Sequence, residues 1–283
     1  KPSTVDEAVA MLRDTAGAYP LSGGAILIAM KNAGMVEALR FVDLDGVGEL
    51  KGIEQQADGY IRIGAMTRHA ETAACGLLTG TLAVVRQAAG VIANPPVRNM
   101  GTIGGSVAHA DPAADYLPAL LCSDATICIA GPGGRRRLVI KDFLLDWYRT
   151  ALEPHEIITA VVLPPARDGV SSYRKLARVS GDFATASCAL AVQDGASGRE
   201  IRLAIGACGP HPVRDADAEA AFAASAMGMG DLAAFSDRLV QLADPVDDMR
   251  GSAEYRRLLI PRLVAEAVRG AGLMGVSKTA RQF

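Results

Sequence analysis

The 283-residue sequence is poor in cysteine, aromatics and unbalanced charge, and each shortage excludes something. Its five cysteines include no CxxC pair, the closest two being Cys122 and Cys128, so a structural zinc or iron–sulfur site within this chain is not expected. An odd number of cysteines argues for a reducing compartment, and Cys188 and Cys208, set in apolar runs, read as buried thiols. The histidines His69, His109, His155 and His211 form no metal-ligand spacing. Lys and Arg number 29 against 31 acidic residues, a formal net charge of -2, so no basic field exists to attract nucleic acid. The local run "GRRRL" at 134–138 reads as a solvated hairpin rather than a phosphate patch. There is no apolar stretch of about 18 residues and no basic segment leading into an apolar one near the N-terminus. A membrane span or leader is therefore not expected, and a cytoplasmic location is, with any membrane association made through partners. GxGxxG and GxxxxGK[ST] are also missing, which disfavours a Rossmann dinucleotide site and a P-loop.

Hydrophobic residues make up 50% of the chain, enough for a substantial core, and its length suits one large domain or two to three small ones. In "TVDEAVAMLRD", Val5, Ala8, Val9 and Leu12 share a helical face, and Thr4 and Glu7 have capping-box spacing. "YPLSGGAILIAMKNAG" offers a turn and a short apolar helix over 24–31. Strands are expected in "ALRFVDLDG", "GYIRIGAMT", "ATICIAG" and "HEIITAVVLP". Helical pieces are expected in "TRHAETAAC", "TLAVVRQAAGVI" and "ADYLPALLCS", with the double proline of "NPPVRN" as a break. "PPARDGVSS" at 164–172 is the best domain linker. Beyond it, "GDFATASCALAVQD" and "REIRLAIGACG" read as long neighbouring strands, followed by three helical stretches. The pattern is α+β, with helices covering an antiparallel sheet, rather than regular βαβ alternation.

Thirty glycines cluster in short groups, and two groups invite a chemical reading. One is "LSGGAIL", the other "NMGTIGGSVAHADPAADYLPAL" at 99–120. Glycine lets a ligand approach the backbone, and successive N–H groups in a tight turn cradle an anion. Two such loops suit a diphosphate held from both sides, with Ser22, Thr102 and Ser106 as hydroxyl donors. On this reading Gly104→Asp opposes anion binding while sparing most of the fold. His109 and Asp111 tempt a catalytic pairing, but local hydrogen bonding is the simpler role for His109. Asp115 reads equally as an N-cap of the helix that begins "YLPALL". Met30 and Met66 read as packing residues.

The longer pattern "NPPVRNMGTIGGSVAHADPAADYLPAL" resembles the FAD-binding subunit of the molybdenum hydroxylases, the xanthine dehydrogenase and carbon monoxide dehydrogenase-like family. "LSGGAILIAMKNAG", "IRIGAMTRHAE", "YRKLARVSGDFATAS" and "DDMRGSAEYRRLLIPRLVAEAV" resemble further segments of that family, in its order and over nearly the whole chain. The resemblance implies an α+β fold in which two N-terminal α/β subdomains, 1–55 and 56–168, hold noncovalent FAD between them, followed by a C-terminal antiparallel-sheet domain with helices, 169–283. It places Ser22, Gly23, Gly24, Ala25, Ile26 and Leu27 at one FAD loop and Gly101, Thr102, Ile103, Gly104, Gly105 and Ser106 at the other. Asp115 matches an aspartate that contacts FAD, Ile158 an apolar residue on the adenine side, Lys175 a lysine reaching the flavin region, and Phe183 an aromatic beside the ring. The first loop departs from the family pattern. Ala25 and Ile26 replace a more polar pair, Ala29 a frequent proline, and Met100 a basic or aromatic residue, leaving fewer side-chain donors for a diphosphate.

The implied function is electron transfer. In the family a large subunit carries a molybdenum pterin cofactor and transforms the substrate, while a small subunit carries two [2Fe–2S] clusters. The flavin subunit accepts electrons from those clusters and passes them to an external acceptor. The resemblance implies a dimer of heterotrimers, and no acid–base residue is assigned. A standalone FAD oxidoreductase and a noncatalytic scaffold with a decayed FAD site remain as alternatives.

Overall fold

The computed structural model describes residues 1–37, 40–196 and 198–274. Thr4 caps α1 (Val5–Asp14) by accepting the Glu7 N–H, and Val5, Ala8, Val9 and Leu12 are buried as their spacing predicts. The reciprocal half of the capping box does not form. The Glu7 carboxylate instead accepts from the Ser3 N–H at 2.7 Å and the Ser3 hydroxyl at 2.9 Å.

A strand that the sequence did not announce, β1 (Ala18–Leu21), runs into the first glycine loop. The chain continues through α2 (Leu27–Asn32), which begins three residues later than expected, to β2 (Arg40–Asp43), parallel to β1. Parallel pairing needs a crossover, and the glycine loop with α2 begins it. Pro20 is tolerated in β1 because a two-stranded sheet consists entirely of edges. None of the α2 residues is fully buried, although most are apolar.

The middle of the chain builds a five-stranded antiparallel sheet from β3 (Ile53–Gln55), β4 (Ile61–Gly64), β5 (Thr126–Gly131), β6 (Gly134–Val139) and, after a small hairpin, β9 (Ile157–Leu163). Its order is β3-β4-β9-β5-β6. Between β4 and β5 come α3 (His69–Ala74), α4 (Ala83–Gly90), α5 (Pro95–Arg98), α6 (Ile103–His109) and α7 (Tyr116–Cys122). The connector "KDFLLDWYRT" folds into the single turn α8 (Ile140–Phe143) and the hairpin strands β7 (Leu144–Asp146) and β8 (Arg149–Thr150). The double proline lies beyond the end of α4 at Gly90 and starts the next helix. Asn94 caps α5 by accepting the Val97 N–H, and the prolines fill first-turn positions that need no N–H donor. In the basic hairpin, Arg136 forks onto Glu156 at 2.6 and 2.7 Å and Arg135 approaches Glu49 at 3.4 Å, so two of its three arginines are engaged.

The central strand β9 is buried along its whole length. Ile157 joins the cluster under α1, while Ile158 faces the helices α3 to α7 with Val161 and Leu163. That parity requires one extra residue. The register skips Thr159, since Ile129 pairs with Ile158 and Cys128 with Ala160. The bulged Thr159 carbonyl accepts the N–H of Ala65, just past the end of β4, at 3.0 Å.

The C-terminal part starts earlier than the linker reading allowed, because β10 (Val170–Leu176) takes up the last residues of 164–172. It forms an antiparallel sheet with β11 (Ala186–Gly195) and β12 (Gly198–Gly206), covered by α9 (Ala216–Ala224), α10 (Met229–Leu242) and α11 (Ala253–Gly270). Alternation along β11 assigns the two faces. Cys188, Leu190 and Val192 enter the core beneath the C-terminal helices, while Ala189 and Ala191 face the middle helices. Small side chains on that second face let α7 lie close against β11 and β12. Cys188 and Cys208 are buried thiols, as expected. Among the described residues, no helix is long and apolar enough to cross a membrane.

Arg256 of α11 is 4% exposed and donates to the carbonyls of Thr185 at 2.6 Å and Ala207 at 2.8 Å while pairing with Asp248. Arg256→Met removes the donors and strands buried acceptors, so it should destabilise the protein by roughly 2–4 kcal/mol. A urea-unfolding midpoint indistinguishable from the parent would contradict this role.

Candidate cofactor-binding site

The two glycine loops, far apart in sequence, touch. A Cβ on Gly23 would lie 2.0 Å from the Met100 carbonyl oxygen and 2.8 Å from the Gly101 Cα, and one on Gly105 would lie 2.6 Å from Ser22 Oγ. Glycine at these positions lets one loop pack directly on the other. Gly24 has φ +72°, the left-handed conformation that turns the chain towards α2.

Their backbone donors differ. Among the described residues, the N–H groups of Gly23, Gly24, Ala25 and Ile26 donate to no protein acceptor. In the second loop most donors are engaged, the Thr102 N–H being the exception among the described residues. Ile103 N–H bonds the Thr67 carbonyl at 3.0 Å, Gly104 N–H the Ala65 carbonyl at 2.9 Å, Gly105 N–H the Thr102 hydroxyl at 3.2 Å, and Ser106 N–H the Thr102 carbonyl at 3.0 Å. The picture of two equivalent backbone cradles is therefore corrected. The first loop leaves four consecutive N–H groups without a protein acceptor among the described residues, whereas in the second loop the Ile103 and Gly104 N–H groups tie it to the end of β4 and only the Thr102 N–H is left over. Gly104 changes meaning with it, since its Cβ would sit 2.5 Å from Ala65 Cβ and 2.7 Å from the Ala65 carbonyl oxygen. Gly104→Asp therefore strikes the fold, contrary to the sequence expectation.

His69 is the floor beneath this junction. Its N–H donates to the Gly101 carbonyl at 3.0 Å, and a Cβ on Gly101 would fall 2.5 Å from its Nε2. The ring tilts against Tyr116 with centroids 5.3 Å apart. Burial, aided by the Arg98 charge, pulls its pKa down to about 4, so it is neutral near pH 7.

A cleft of about 440 Å³ opens beside the loops, with Ser22, Gly23 and Thr102 on its wall. Asp45, Lys51, Met66, Arg68, Glu71, Asn99 and Met100 complete it, and sequence reasoning missed all of these as site residues. Asn99 and Met100 open the second glycine motif and Met66, Arg68 and Glu71 lie in "IRIGAMTRHAE", but no residue type there marks which side chains face the cleft. Lys51 is paired with Asp45 at 3.0 Å. The exposed Arg68 guanidinium has no ion pair or hydrogen bond among the described residues, although its backbone N–H is held by Glu71 at 2.8 Å. Open backbone donors and an unpaired cation beside a cleft fit a dinucleotide diphosphate.

Asp115 and Lys175 come together elsewhere, at the seam between α7 and β10. The Asp115 carboxylate accepts from Lys175 Nζ at 2.9 Å and from the Tyr173 hydroxyl at 2.7 Å, and all three residues are largely buried. Burial pushes the Asp115 carboxyl upward, and the ammonium and hydroxyl pull it back down. Asp115 stands at the N-cap position of α7 without capping it. Its backbone is already helical and its side chain makes no capping bond. Lys175 also reaches the Val91 carbonyl at 3.3 Å. Phe183 packs against Ala113, Ala184 and Ala207, with the Arg250 guanidinium 5.1 Å above its ring. Ile158 lies in the core of the central sheet. His109, for which local hydrogen bonding was expected, instead tilts against Tyr148 with centroids 5.4 Å apart and has no hydrogen bond among the described residues. Asp111 accepts the Ala113 N–H at 2.9 Å.

Residues 1–166 match the family model described as "FAD binding domain in molybdopterin dehydrogenase", and residues 171–271 match "CO dehydrogenase flavoprotein C-terminal domain". The chain is 31% identical over 273 residues to the carbon monoxide dehydrogenase medium chain of Hydrogenophaga pseudoflava, covering 95% of each. It is 29% identical over 280 residues to the xanthine dehydrogenase FAD-binding subunit of Escherichia coli O157:H7, covering 96% of each. A chain in the solved structure of carbon monoxide dehydrogenase from Hydrogenophaga pseudoflava superposes with a TM-score of 0.90 at 32% identity, covering 96% of both chains.

Two outcomes follow from the junction. Gly104→Ala should destabilise the ligand-free protein by roughly 1–3 kcal/mol through overpacking against Ala65, which a thermal midpoint without added ligand will register. For His69 the folded pKa lies below the ordinary 6.5, so the unfolded chain takes up the proton first. Stability is full above about pH 6.5 and declines as pH falls towards 4, by on the order of 3 kcal/mol from this residue. His69→Gln should flatten the decline of the urea midpoint between pH 6.5 and 4.5, and an unchanged slope would assign it to other groups.

Proposed function

The chain belongs to the FAD-binding medium-subunit family of the molybdenum hydroxylases, and from that we propose that it is the electron-transfer flavoprotein of a multi-subunit complex. The observation that carries the reading is the open first loop beside a cleft, in a chain whose whole length follows the family. FAD, when bound, supplies a ring that takes up electrons from iron–sulfur clusters and releases them to an external acceptor. The residues of this chain bind and orient it. The Gly23–Ile26 N–H groups face the diphosphate, and the hydroxyls of Ser22, Thr102 and Ser106 add donors around it. The remaining expected contacts, Gly101, Ile103, Gly104, Gly105 and Leu27, shape the backbone walls. The resemblance assigns Ile158 to the adenine side, which its side chain, buried in the central-sheet core, would support from beneath rather than line. Phe183 offers an aromatic wall to the ring, and the Asp115–Lys175 pair sets the local charge near it.

In this reading, 1–55 and 56–168 form the two subdomains that hold noncovalent FAD, and 169–283 the domain that closes on it. The large molybdenum-pterin subunit and the small subunit with two [2Fe–2S] clusters are separate chains, and the assembly is a dimer of heterotrimers. Substrate choice belongs to the large subunit. The two relatives above bear names with different substrates, carbon monoxide and xanthine, yet this chain is about equally similar to both.

Mild denaturation of the purified chain should release FAD, identified by chromatography; FMN, or no flavin from folded protein, would defeat the cofactor assignment. Anaerobic rapid mixing tests the subunit role. Strong chemical reductants should bleach the flavin band of the isolated chain, whereas the complex's substrate should bleach it only after the cluster and molybdenum subunits are added. Substrate-driven bleaching by this chain alone would make it a standalone oxidoreductase.

A further inference from the structure

Resting on the reading of the cleft as the dinucleotide site, we propose that Arg68 supplies the cation that binds the cofactor's diphosphate, replacing the side-chain donors that the first loop lacks. A diphosphate must exchange its hydration for charged or polar partners. In this chain the first loop contributes backbone N–H groups but no polar side chain at Ala25 or Ile26, and the N–H groups of Ile103 to Ser106 in the second loop are occupied by Thr67, Ala65 and Thr102, which leaves only the Thr102 N–H. Together with the hydroxyls the two loops supply neutral donors but no cation, so the ligand charge has to be met from elsewhere on the cleft wall.

Two cations line the cleft. Lys51 is held by Asp45 at 3.0 Å, while the Arg68 guanidinium has no partner among the described residues. The other carboxylate on the wall, Glu71, has one oxygen on the Arg68 N–H at 2.8 Å, a bond that fixes the backbone from which the guanidinium extends. That backbone is tied to the second loop as well, by an antiparallel bridge between Arg68 and Thr102 and by the following residue's bond to Gly101. Arg68 thus starts from the rim shared by the two loops. A guanidinium presents a planar fork that matches phosphate oxygens in pairs, which an ammonium cannot do. Because Arg68 is solvent-exposed, its contribution is screened and salt-dependent.

The test uses the full chain stripped of flavin, titrated with FAD by fluorescence, with ADP as competitor and riboflavin as a ligand that has no diphosphate. Arg68→Met should weaken FAD and ADP by roughly tenfold at low salt, leave riboflavin unchanged, and reduce the salt dependence of FAD binding. Arg68→Lys should recover part of the loss. Lys51→Met, whose parent ammonium is already paired, should shift FAD affinity by less than about threefold. Equal FAD affinity in parent and Arg68→Met, an equal loss for riboflavin, or an equal loss in Lys51→Met would each overturn the assignment while leaving the cofactor reading intact. A folded parent that binds no FAD would overturn both.

Discussion

The contact between Gly23 and the Met100–Gly101 backbone is the constraint on which the site depends. There is no room between the loops for even one Cβ, so their relative position is fixed by main chain against main chain. Such a contact tolerates little rotation, and it needs a firm support. That support is layered. His69 lies under Gly101, Ala65 lies under Gly104, and the Ala65 N–H is held by the bulged carbonyl of Thr159 in the central strand. A single extra residue in β9 thus sets both the parity of the core and the seat of the second loop.

The asymmetry of the loops has a chemical consequence. A backbone N–H that already has a protein acceptor gives a ligand little, because any new bond must compete with the old one. The second loop is therefore scaffold first, and its free chemistry lies in hydroxyls and the Thr102 N–H. The first loop is the reverse. It is carried by an isolated two-stranded parallel sheet and by α2, none of whose residues is fully buried, and its donors remain open. A rigid wall facing an open one suits a site that must admit a large cofactor and then hold it in one orientation.

The seam with the C-terminal sheet works through a buried charge. Lys175 and Tyr173, two residues apart on β10, lie on one face of the strand and converge on Asp115 of the preceding half. Neither charge could be buried there alone without a large desolvation cost. The alanines of β11 bring α7 close enough for the pair to form, so packing and electrostatics at the seam depend on each other.

The sequence by itself determined the elements with strong local signals and the family pattern. The buried face of α1, the strands with alternating or continuous apolar residues, the hairpin of β11 and β12, and the glycine loops were all legible, because periodicity and turn chemistry act over a few residues. It missed β1, whose Tyr19-Pro20 step reads as a turn. For Asp115 it offered an FAD contact or a helix cap and did not foresee the buried bonds to Lys175 and Tyr173, because the same residue type serves all of these roles. Only the tertiary structure decided which loop keeps its donors free, what Gly104 packs against, which cleft cation is unpaired, and where Asp115 points. The partners of Gly104 and Asp115 lie tens of residues away in the chain, the Lys51–Asp45 pair spans only six, and in either case a backbone N–H or a charge carries no mark in the sequence of whether its partner will arrive.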